Sequence, residues 1–83
     1  MGDEKNQPLE RIRIGRVEAT IWENTGKNGP WKSVTLSRAY KHEDGTFRSA
    51  SSFTGADLLL ASEALRLAHS RIVEEEVQDG AAN

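Results

Sequence analysis

Over residues 12–21 apolar and polar residues alternate with period two, which predicts a half-buried strand. The phase slips midway: Ile12 and Ile14 are even, whereas Val17, Ala19 and Ile21 are odd. One extra residue beside a glycine makes a β-bulge, so the slip predicts a bulge at Gly15-Arg16 and a long, bent first strand that counts as two. Residues 24–30 (NTGKNGP) form a turn by composition. A second strand follows over 31–40, with Val34 and Leu36 inward and Ser33, Thr35 and Ser37 outward. Residues 42–45 (HEDG) are a hairpin turn of the Asp-Gly kind, and 46–53 a third, serine-rich strand.

The period then changes to 3.6. Thr54 with Asp57 three residues on is a capping-box pattern, and Phe53 and Leu58 occupy the positions of a hydrophobic staple. A helix over about 55–76 is expected. Leu58, Ala61, Leu65, Ala68 and Ile72 form one stripe, suited to covering a sheet. A second stripe, Leu60, Ala64 and Leu67, lies well round the helix, and it predicts a helix-mediated homodimer contact. The expected fold is α+β: a curved antiparallel sheet of three to four strands with a bulged first strand, then one long C-terminal helix.

Composition restricts what such a chain does. It has 83 residues, 36% of them apolar and 29% charged, enough for one small domain with a thin core. Residues 1–10 and 78–83 read as flexible tails around a domain over 11–77. With no cysteine, disulfides and thiolate metal sites are excluded. The longest apolar run, Leu58-Leu59-Leu60-Ala61, is far short of the ~20 residues of a membrane span. The opening residues lack a basic-plus-apolar leader pattern, so a signal peptide is not expected, and a cytoplasmic location, nucleoid-associated in a bacterium, is expected. The net charge of -2 hides an asymmetry: residues 11–53 carry eight bases against four acids, while the two ends are acidic.

Catalytic chemistry finds little support. His42 and His69 have no second ligand at metal spacing, and no nucleophile elbow surrounds any serine. The Gly26-Lys27-Asn28-Gly29 loop lacks the P-loop pattern. Glu74-Glu75-Glu76 reads as a solvated helix end. No enzyme activity, metal or cofactor is expected. What remains is a basic sheet bearing aromatics: Trp22 and Trp31 flank the first turn, Tyr40 ends the second strand, Phe47 opens the third, and Arg16, Lys32, Arg38 and Arg48 lie among them. Rings that stack on bases and cations that meet phosphates are what a binder of single strands needs.

Ile14-Gly15-Arg16 at the bend, Arg38-Ala39-Tyr40 closing the second strand, Glu43-Asp44-Gly45 at the turn, Arg48, and the stretch from Phe53 to Leu58 form a further pattern. With them, residues 12–76 resemble the positive cofactor four transcriptional coactivators and their Whirly-like relatives. The resemblance implies a sheet backed by one helix, a two-fold dimer paired through the helices, and single-stranded or unwound DNA bound along the sheet with little sequence preference. It also implies phosphate contacts from Arg16, Arg38 and Arg48, on the sheet side away from the acidic helix end. Glu18 and Glu23 stand where that family tends to be basic. The expected function is thus a homodimeric nucleic-acid-binding protein with an accessory role in transcription, replication or repair. The alternative is a dimeric protein-interaction module whose open sheet edge accepts a partner strand.

Overall fold

The computed structural model describes residues 5–81, with side chains from 6 to 76. Four strands, β1 (Lys5–Ile14), β2 (Val17–Thr25), β3 (Trp31–Lys41) and β4 (Phe47–Ala50), precede one helix, α1 (Gly55–Ala81). The sheet is open and antiparallel, and its spatial order β1-β2-β3-β4 repeats the sequence order.

Gly15-Arg16 is not a bulge. Ile14 pairs with Val17, so the two residues are the whole loop of a tight hairpin. Gly15 has φ +62° and Arg16 does not have positive φ, which is the pattern of a type II′ turn. Paired residues share a face, and a two-residue loop therefore moves the inward set from even to odd numbers, just as a bulge does. The bulge lies elsewhere in β1: Pro8 faces Trp22 and Glu10 faces Ile21, leaving Leu9 as the extra residue.

Residues 5–10, expected as part of a tail, are the first half of β1, paired from Lys5↔Thr25 onward. The helix likewise runs through 78–81, also expected as tail. Residues 1–4 and 82–83 lie outside the described residues. The 42–45 turn holds by two backbone bonds, His42 N–H to Thr46 O at 2.8 Å and Gly45 N–H to His42 O at 2.9 Å. Gly45, at φ +88°, closes its three-residue loop. Beyond it, β4 keeps only four residues.

The core lies between α1 and the β1–β2 half of the sheet. Ile12, Val17, Ala19 and Ile21 meet Ala61, Ala64 and Ala68, with Ile14, Val34, Leu36, Phe53, Leu60, Leu67 and Ile72 around them. The buried helix face is thus built from alanines, which let the helix sit close to the sheet. The buried face merges the two expected stripes: Ala61, Ala68 and Ile72 of the first cover the sheet as expected, joined by Leu60, Ala64 and Leu67 of the second. Leu58 and Leu65 are 57% and 44% exposed, while Ala64 is fully buried and Leu60 and Leu67 pack on the sheet. Ala64 is thus core of the single chain, and Leu60 and Leu67 are partly buried against the sheet.

Candidate nucleic-acid interface

Strand register divides the predicted residues between the two sheet faces. Odd residues of β2 face the helix, and Val17↔Arg38, Ala19↔Leu36, Ile21↔Val34 and Glu23↔Lys32 put the even residues of β3 on that side. Arg38, Tyr40 and Lys32 thus begin on the helix side, and Tyr40↔Arg48 adds Arg48. The opposite face carries Arg11, Arg13, Glu18, Trp22, Trp31, Ser33, Thr35, Ser37, Lys41, Phe47 and Ser49.

The helix-side cations are largely engaged. Asp57, in the first turn of α1 and only 2% exposed, accepts two bonds from Arg16, Nε at 2.9 Å and Nη2 at 3.2 Å. Thr54 Oγ1 donates to the same carboxylate at 2.7 Å, and the Asp57 N–H returns a bond to Thr54 O. Arg16 and then Thr54 hold the Asp57 carboxyl below its ordinary value, against the opposing effect of desolvation. Arg38 is 3.9 Å from the same carboxylate, donates from Nε to Ser52 O at 2.8 Å, and stacks over the Tyr40 ring at 5.5 Å. Lys32 meets Glu75 at 3.2 Å. Arg48 meets Asp44 at 3.1 Å, and bonds from Thr46, side chain first, lower the Asp44 carboxyl. By register Arg38 and Arg48 start from the helix side of the sheet, and Arg16 and Arg38 both approach Asp57 at the first turn of α1. Arg38 is a brace between β3 and the start of α1.

The open face is different. Trp31 is 52% exposed and Phe47 77%, although neither contributes to the core. Trp22 is oriented by its Nε1, which donates to Thr35 Oγ1 at 2.8 Å. Buried Asn24 steadies the start of β3, its Nδ2 donating to Ser33 Oγ at 3.0 Å and Trp31 O at 3.3 Å. Arg11 and Arg13, both exposed, reach Glu18 at 3.6 and 3.2 Å, so this acid offsets part of their charge.

At the Gly15 end of the sheet two open hollows adjoin. One, of about 360 Å³, is lined by Arg13, Arg16, Glu18, Ser37, Ala39, Phe47, Arg48 and Ser49. The other, of about 490 Å³, is lined by Arg13, Gly15, Arg16, Ala39, Tyr40, Lys41 and Phe47. Arg16 and Arg48 thus do meet, around Phe47 and beside Arg13 and Lys41. Arg11, Arg13 and Lys41 are the residues that reading by strand pattern alone passed over as site candidates, whereas Phe47 was placed among the sheet aromatics. Their parity was the available signal: each is out of phase with the inward set of its own hairpin. No helix of the described residues is long and apolar enough to cross a membrane. No protein-family model, curated protein or solved structure matches the chain.

Proposed function

We propose that this protein binds single-stranded or unwound DNA across the helix-free face of its sheet, as a homodimer and with little sequence preference. One observation carries the reading: that face displays Trp22, Trp31 and Phe47 beside Arg11, Arg13 and Lys41, and the core uses none of these rings. Aromatic faces stack on any base, and cations along the same surface neutralise phosphates. Between them stand Ser33, Thr35, Ser37 and Ser49, short hydroxyls rather than the Arg, Asn and Gln that read base edges in a duplex groove. The dimer contact in this reading lies outside Leu60, Ala64 and Leu67.

Fluorescence anisotropy with labelled oligonucleotides of about twenty bases tests it, single- and double-stranded, at several salt concentrations. Single strands bind more tightly, and affinity falls as salt rises with a slope near -0.7 per phosphate contact. Arg13→Ala removes about one contact from that slope; Lys32→Ala, on the helix side, leaves it unchanged. Absence of single-strand binding at low salt sinks the reading.

A further inference from the structure

The sheet has two outer edges, and they are built in opposite ways. The β1 edge is long but carries Pro8, the Leu9 irregularity, and exposed Arg11 and Arg13, all devices that keep one sheet from pairing with another. On the other side β4 pairs only with Arg38–Lys41, so among the described residues no strand lies on the outer side of residues 31–37 of β3 (WKSVTLS). That stretch has no proline, glycine or bulge. Its one charge, Lys32, is directed to the helix side by Glu75.

Parity fixes which backbone groups are free there. His42 N–H bonds to Thr46 O across the β3–β4 hairpin, whereas Ala39 N–H turns the other way, to Arg16 O. Even residues of β3 therefore aim their N–H and C=O outward, and Lys32, Val34 and Leu36 have no ladder partner for them. An antiparallel pair made from two copies of one strand has a two-fold axis. If that axis passes through Val34, the middle of the free stretch, Val34 meets its own copy as a hydrogen-bonded pair and Lys32 meets Leu36 twice. About six backbone bonds close, and the two lysines are not opposed.

We infer that residues 31–37 are a homodimer contact: the β3 edges of two copies pair antiparallel about Val34 and join two four-stranded sheets into one. This deepens the homodimer part of the proposed function. The open faces become continuous, Ser33 stands opposite Thr35 of the second copy, and the two Trp31 rings lie about 20 Å apart along the seam. A second copy is the fitting occupant because its edge has the same free groups in the same phase, and a two-fold contact is self-complementary by construction.

The test uses mass and cross-linking, both without nucleic acid. Sedimentation of the wild type gives twice the 9.2 kDa chain mass at concentrations up to roughly 100 µM. Ser33→Glu with Thr35→Glu places acids opposite each other on both sides of the axis and halves the mass. Ser33→Glu with Thr35→Lys, which loses the same two hydroxyls, remains a dimer; circular dichroism checks that both pairs of substitutions fold. Because the chain has no cysteine, Val34→Cys alone gives a clean cross-link. The two Cα atoms of such a pair are about 5.5 Å apart, within disulfide reach, so mild oxidation yields a covalent dimer. Ser49→Cys, on β4, stays unlinked. Should neither charge variant fold, Val34→Cys decides alone. A monomeric wild type, or a Val34→Cys chain that stays unlinked, overturns the inference. A cross-linked dimer that binds no oligonucleotide overturns the DNA reading and leaves this one intact.

Discussion

On the helix side of β2 stand Val17, Ala19 and Ile21, none more than 3% exposed. On the other side of the same strand stand Glu18, Thr20, Trp22 and Asn24, among them a tryptophan oriented by a hydrogen bond and an acid shared by two arginines. The first set meets small side chains, Ala61, Ala64 and Ala68, so the helix approaches closely and shape decides what fits. In the second set Thr20 and Asn24 are buried as well, at 8% and 4% exposed, while Glu18 and Trp22 are partly exposed. One strand thus packs on the helix with one face and belongs to the proposed binding surface with the other, and substitutions separate the two.

The sharpest separation comes from the helix. Ala64→Glu places an unpaired carboxylate in the core and costs about 3–5 kcal/mol, enough to unfold so small a domain. Leu65→Glu, one residue on but 44% exposed, changes stability by no more than about 0.5 kcal/mol. Urea unfolding followed by circular dichroism compares them; equal losses would mean that the helix presents its other face to the sheet.

Next comes the hairpin that joins the faces. Gly15→Val meets both the φ of +62° and Leu60 Cδ1, 3.1 Å from where a Cβ would sit, and costs about 1–3 kcal/mol. An unchanged urea midpoint would remove the turn from the account.

The open face gives the reverse result. Trp31→Ala and Phe47→Ala leave the urea midpoint nearly unchanged, and each lowers single-strand affinity by about 1–3 kcal/mol in anisotropy titrations. A loss of stability in place of affinity would return those rings to the core.

The smallest effect is confined to acid. Asp57 titrates below its ordinary value of 3.8, so its bonds to Arg16 and Thr54 contribute stability above that pH and lose it as pH falls through the lowered value. Asp57→Asn flattens the fall of the urea midpoint below about pH 4; an unchanged slope would assign acid sensitivity to other carboxylates.

Strand number, both long turns and the helix start were legible because each rests on local chemistry: alternation, Asp-Gly, and Thr54 with Asp57. Three features were not. A two-residue hairpin and a bulge shift parity identically, so Ile14-Gly15-Arg16-Val17 alone does not distinguish them. Side-chain size pointed to Leu58 and Leu65 as core, but closeness of approach favours alanine, and that closeness is a tertiary property. Residues 5–10 carry little apolar alternation, because this edge of the sheet meets the helix through the polar pair Glu10–Arg71 and adds nothing to the core cluster. The candidate site inherited the first of these: without the register, Arg38 and Arg13 are indistinguishable cations. Once β2 and β3 are aligned, one is a brace and the other faces solvent.

The meander order has a consequence in time. Every strand pairs with its neighbour in sequence, so the sheet assembles by closing short loops, each costing little entropy. Only the helix must find partners far along the chain: Asp57 lies 41 residues from Arg16, and Arg71 lies 61 residues from Glu10. A zipper of local hairpins followed by one docking step suits a mixed α/β domain, whose folding rate lies between those of helical bundles and all-β barrels. β4, which α1 does not pack against, is held by β3 alone, and its amides are expected to exchange with solvent earlier than those of β2.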